Sequence, residues 1–160
     1  MAYKTAALAA AFWCAAGSAQ VTNSHRRMSP SEIGALEQVG PSAGTSGVTG
    51  IQTRVLKGDP TRSGLYTIQL EVPANTHIDS HVHPDDRVAT VISGTWYFGY
   101  GTRFEEKELK ALPPGSFYTE PPDEPHFART GSAAVIVQIT GFGPTGTRFT
   151  EAHPSPLTKP

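Results

Sequence analysis

Cysteine occurs once in the 160 residues, at Cys14, and methionine and tryptophan twice each. A lone thiol forms no intrachain disulfide, so a disulfide-stapled scaffold is excluded. Charge of one sign is not in excess either. Thirteen basic residues face 14 acidic ones for a net charge of −1, with no run of like charge, so nothing in the chain attracts nucleic acid or an anionic membrane. The apolar run from Thr5 to Ala16 is too short to span a bilayer. Helix-patterned stretches are also few.

What the first residues do contain is a charged start at Lys4, a short apolar region, and small residues Gly17-Ser18-Ala19 before Gln20. These three parts make a secretory signal peptide, residues 1–19, cut after Ala19. The competing reading is an Ala-rich first helix of the folded domain. Lipid attachment at Cys14 is disfavoured by bulky Phe12-Trp13 before it. The expected destination is therefore outside the cytoplasm, periplasmic or extracellular. Cleavage removes the only cysteine and Lys4, leaving 12 basic residues against 14 acidic, a net −2. No membrane partner is expected once the leader is gone.

The remaining length is one domain's worth. Residues 20–49 read as an N-terminal extension. Ser29-Pro30-Ser31-Glu32 opens a short helix through about Val39, because proline suits a first helical turn and Ile33 and Leu36 share a face. The Gly- and Ser-rich stretch 40–50 reads as a connector. From Val48 onward, short apolar or alternating runs are separated by turn residues, in a chain with 16 Gly and 14 Pro. Eight strands are expected, at 51–57, 65–72, 81–82, 88–92, 95–100, 116–119, 127–129 and 134–140. The charged stretch 105–112 reads as an inserted surface turn, and the chain from Gly141 on as a wrapping or trailing tail. This pattern specifies an all-β sandwich or barrel.

His81 and His83 stand two residues apart. In an extended strand both imidazoles project to one face, where they can bind one metal ion. His126 is the third candidate ligand: it begins a strand just after the stiff turn Pro121-Pro122-Asp123-Glu124-Pro125. His77 shares the parity of His81 but precedes the established strand. Gln138 is a polar residue inside the apolar run Val135–Ile139, so either it lines a cavity and touches substrate or its face is wet.

These two segments resemble the two signature motifs of the cupin superfamily. The first family motif has a glycine, five residues, His-x-His, a glutamate three or four residues on, and a closing glycine after six more. His81, His83 and Gly94 match it, with Asn75 for the first glycine. The second motif is matched at Gly115, Pro121 and His126, with Asp123 for the inner glycine and Thr130 for the final asparagine. The resemblance covers roughly residues 50–145. It implies a single cupin-type jelly-roll β-barrel there, preceded by a short helix, with 146–160 as a tail. The glutamate ligand of the family falls on Arg87, and a guanidinium cannot ligate a cation. The implied site is therefore three histidines without the carboxylate, and Asp86 becomes a fourth ligand only if the turn bulges. Arg87 either pairs with Asp85 or Asp86 at the barrel mouth or faces the cavity as a catalytic group that fixes an anionic substrate.

Three imidazoles suit iron, manganese, nickel, copper or zinc equally. The expected function is a metal-dependent enzyme acting on a small oxygen-bearing organic molecule, with an oxygenase favoured by the precedent of three-histidine cupins. A redox-neutral lyase or isomerase is one alternative. A binding protein that captures a metal or small ligand without turnover is another. Exposed edge strands give a physical reason to expect a homodimer.

Overall fold

The computed structural model describes residues 25–150. The expected leader, residues 1–19, and the end of the tail lie outside the described residues. Within them the architecture is all-β, as the turn spacing indicates. One five-residue helix, α1 (Pro30–Gly34), precedes the strands. It is closed by a capping box in which the Ser29 hydroxyl accepts from the Glu32 amide while the Glu32 carboxylate accepts from the Ser29 amide. The helix stops well before Val39, which instead makes a bridge to Thr53.

Ten strands come after it: β1 (Gln52–Lys57), β2 (Gly64–Val72), β3 (His77–Val82), β4 (Arg87–Ser93), β5 (Trp96–Tyr100), β6 (Lys110–Leu112), β7 (Phe117–Glu120), β8 (His126–Thr130), β9 (Val135–Gly143) and β10 (Arg148–Phe149). They form two five-stranded sheets, ordered β1-β2-β9-β4-β7 and β10-β3-β8-β5-β6, with every pairing antiparallel. The strands do not close into one continuous barrel. They make the two-sheet form of a jelly roll.

Alternation builds the core. Tyr66, Ile68, Leu70 and Val72 of β2 and Val135, Val137 and Ile139 of β9 point inward. The two strands pair without a break from Gly64↔Gly143 to Val72↔Val135. From the other sheet Ile78, Trp96, Phe98, Leu112 and Ala128 meet them. Each fully buried aliphatic chain contributes on the order of 1.5–3 kcal/mol relative to exposure.

Two short strands escape the sequence pattern. β6 is three residues long, buries only Leu112 and comes after a single 3-10 turn, Glu106–Glu108, and β10 is two residues long. β10 brings the chain beyond Gly141 back onto β3, pairing Phe149 with His81 and Arg148 with Val82. Residues 44–46 of the expected connector are buried as well.

Candidate metal centre

His81 and His126 are directly opposed across the β3–β8 pair. His83 lies just past the end of β3, where the chain crosses to the facing sheet. The ligand nitrogens of the three lie within 4.8 Å of one another, and all three residues are buried. Ring centroids are 4.4 Å apart for His81 and His126 and 5.0 Å for His81 and His83.

The parity expected for β3 does not run its whole length. Its register with β8 shifts between Ile78 and His81. A bulge of this kind re-aims the side chains beyond it. His77 therefore lies on the outside, its Nε2 2.8 Å from the Asp79 carboxylate, while His81 points in.

Each imidazole has one nitrogen committed to a backbone carbonyl. His81 Nδ1 donates to Asp79 O (2.8 Å), His83 Nδ1 to Gly146 O (2.5 Å) and His126 Nδ1 to Glu124 O (3.0 Å). A carbonyl only accepts, so Nδ1 carries the proton and Nε2 offers a lone pair. Such partners orient the ligands of metal sites. Burial keeps the rings neutral: it is the largest influence lowering His81 to about 4 and His83 to about 2, reinforced by His126 on the former and Arg87 on the latter. Burial also lowers His126. The Nε2 atoms of His83 and His126 are buried without any hydrogen-bond partner. Orphaned polar atoms of this kind are rare. A divalent cation satisfies them, so the three-histidine group can hold a metal ion.

Arg87 starts β4 and is buried, which excludes a solvated bridge at the mouth. It sits opposite Glu120, at the end of β7, in the β4–β7 register. Its Nε donates to Glu120 Oε2 (2.6 Å), an Nη donates to the same oxygen, and the other Nη donates to Gly44 O (3.0 Å). Burial is the largest single influence and pushes the Glu120 carboxyl up, but Arg87, His126 and His83 together outweigh it and hold the group down to about 2. The site is thus three neutral imidazoles beside a balanced, ionised pair. Asp86 is exposed, whereas Asp85 is buried and accepts from the Tyr66 hydroxyl at 2.7 Å. Neither approaches the histidines as a ligand.

The cavity beside the site has a volume of about 30 Å³ and is walled by His81, His126, Arg87, Glu120, Trp96 and Tyr118, with aliphatic side chains completing it. That is room for about two water-sized groups. Burial pushes the Tyr118 hydroxyl well above its ordinary range, so it stands there as a neutral group.

No family model matches the chain, and no curated protein matches it. Solved structures do. The polyketide cyclase RemF from Streptomyces resistomycificus superposes with a TM-score of 0.63 at 16% identity, covering 83% of this chain and 90% of that one. A cupin 2 conserved barrel domain protein from Rhodopseudomonas palustris matches with a TM-score of 0.52 at 13% identity, covering 64% of this chain and 68% of that one. The chain has the cupin fold. DMSP lyase DddQ from Ruegeria pomeroyi matches with a TM-score of 0.53 at 20% identity, over 62% of this chain and 51% of that one. This chain thus spans about half the length of that lyase.

The motif substitutions make sense in this fold. Asn75 and Asp123, standing for two glycines, adopt φ of 56° and 55°, and the retained Gly94 and Gly115 adopt 76° and 85°. All four motif positions need the left-handed backbone that Asn and Asp tolerate best after glycine. Thr130, standing for the asparagine, donates to Pro73 O and accepts from the Thr76 amide, tying the turn that carries Asn75.

Gln138 corrects the expectation of a cavity-lining substrate contact. The odd-numbered Val137 and Ile139 face the cavity, so Gln138 points to the outer face, where it accepts from Gln69 Nε2 at 3.2 Å. Glu120 is the residue that sequence reasoning missed. Its parity with buried Tyr118, two residues earlier in β7, was the available signal.

Proposed function

We propose that this cupin is an exported, metal-dependent enzyme acting on a small oxygen-bearing organic molecule, with an oxygenase reaction. One observation carries the metal: two buried imidazole nitrogens without a hydrogen-bond partner, within 4.8 Å of a third. The small cavity supports the oxygen chemistry, because the aliphatic part of its wall, with Ile51, Leu70, Val72, Ile78, Val137 and Ile139, suits a diatomic gas. When bound, a first-row divalent metal supplies Lewis acidity and, if redox-active, electrons.

The chain's own residues have definite tasks in this reading. His81, His83 and His126 hold the ion, and the carbonyls of Asp79, Gly146 and Glu124 keep each ring turned toward it. The aliphatic wall keeps bulk water away, which strengthens every charge interaction inside. Arg87 keeps Glu120 ionised.

A redox-neutral lyase or cyclase is the second reading. Structures that this fold resembles are named a polyketide cyclase and a DMSP lyase. Elemental analysis of protein taken from its own host compartment tests the metal, with one equivalent of a first-row metal expected. Oxygen uptake by iron-loaded protein on phenolic, diketone and hydroxy-acid compounds tests the reaction. Turnover that persists without oxygen establishes the redox-neutral reading. No turnover with any metal leaves a binding protein.

A further inference from the structure

Three imidazoles leave a divalent cation with two uncompensated positive charges in a buried site. Glu120 Oε2 lies 3.9 Å from His83 Nε2 and 3.8 Å from His126 Nε2. These are the two nitrogens that have no partner. Three electron-rich atoms therefore gather in one buried space. None has a proton to share with the others, because both rings carry theirs on Nδ1. Arg87 answers Oε2 but neither ring nitrogen, and a metal ion among the three atoms satisfies those two.

We propose that Glu120 is the fourth ligand of the metal, a carboxylate supplied by β7 in place of the one missing from β4. The inference rests on the metal-binding reading above. A four-coordinate ion with bonds of about 2.0–2.1 Å spaces its ligand atoms roughly 3.3 Å apart, so Oε2 has to close in by only about half an ångström. The carboxylate has about four lone-pair sites, and Arg87 takes two, both on Oε2, so the metal displaces one of those bonds or takes the other oxygen as the group turns.

The topology explains the relocation. Arg87 occupies the position where the cupin motif has its glutamate, and Glu120 is its register partner on the adjacent antiparallel strand. Acid and base have changed places across one strand spacing, about 4.8 Å, at the same level of the sandwich. The alternative is that Glu120 serves only as the counter-ion of Arg87. That role does not require its oxygen to stand beside two unpartnered ligand nitrogens.

Zinc affinity, measured by competition with a chromophoric chelator, separates the possibilities in wild type, Glu120→Gln and His126→Ala. Both variants are expected to lose about 100-fold or more in affinity, the upper end of what merely supporting groups contribute. Glu120→Gln leaves Arg87 without its counter-ion, so the zinc-loaded wild-type crystal structure provides a second reading that needs no variant. A Glu120 oxygen at about 2.0–2.2 Å from the zinc is expected there. A folded Glu120→Gln protein with wild-type affinity, or a Glu120 carboxylate beyond bonding distance in the loaded crystal, overturns the proposal and leaves the three-histidine site standing. Failure of the wild type to bind zinc overturns the metal-binding reading itself, and this one with it.

Discussion

Arg87 and Glu120 oppose each other on neighbouring strands, both buried, and the guanidinium places two of its N–H groups on a single carboxylate oxygen. Removing one partner of a buried pair strands the other charge in a low-dielectric interior. Arg87→Met is therefore expected to lower the stability of the metal-free protein by about 3–5 kcal/mol in urea unfolding, and Arg87→Met with Glu120→Met to recover most of it. Equal losses in the single and double variants count against a coupled pair.

The bulge in β3 separates histidines that look equivalent in sequence. His83→Ala is expected to abolish stoichiometric metal binding, while His77→Ala, on the outer face beside Asp79, leaves it unchanged. Inductively coupled plasma analysis after dialysis decides between them. Loss of metal in the His77 variant contradicts the inward–outward assignment.

Asp123 sits at φ 55° in the turn before β8. Glycine there is expected to be close to neutral, and valine to cost about 1–2 kcal/mol, the ordinary cost of left-handed backbone for a branched side chain. The Asp123 side chain adds little, since its bridge to Arg148 at 3.3 Å is exposed. Thermal melts of the two variants read this directly, and a valine variant as stable as wild type rules it out.

Gly141 leaves space for a buried hydrogen bond. A Cβ there comes within 2.6 Å of the Tyr66 hydroxyl and 2.7 Å of Asp85 Oδ2, the two ends of that bond. Gly141→Ala is expected to cost about 1–3 kcal/mol by overpacking. A urea midpoint that does not move refutes the close packing.

The sheets and the histidine trio were legible because they rest on local patterns. Alternation marks β2 and β9, and His-x-His in a strand needs no tertiary information. What escaped depends on register. Gln138 lies opposite Gln69 on β2, and its neighbours Val137 and Ile139, which line the cavity, put it on the other face of β9. Glu120 gains its meaning only when β7 is laid beside β4, so the acid that replaces the motif glutamate is invisible to a reading of the motif alone. Asp86 remained a candidate ligand because the chain after His83 has no strand parity to fix its direction. β10 is too short for any pattern, yet it contributes Phe149 against His81, with ring centroids 5.7 Å apart.

The Gly44 carbonyl that receives Arg87, and the Thr45 carbonyl that receives the Thr147 hydroxyl, come from chain that precedes β1. The inner wall is thus partly made of backbone from outside both sheets, joined to the stretch whose Gly146 oxygen orients His83. The smallest functional unit accordingly begins upstream of the first strand, and trimming the protein to its sheets exposes the guanidinium to water.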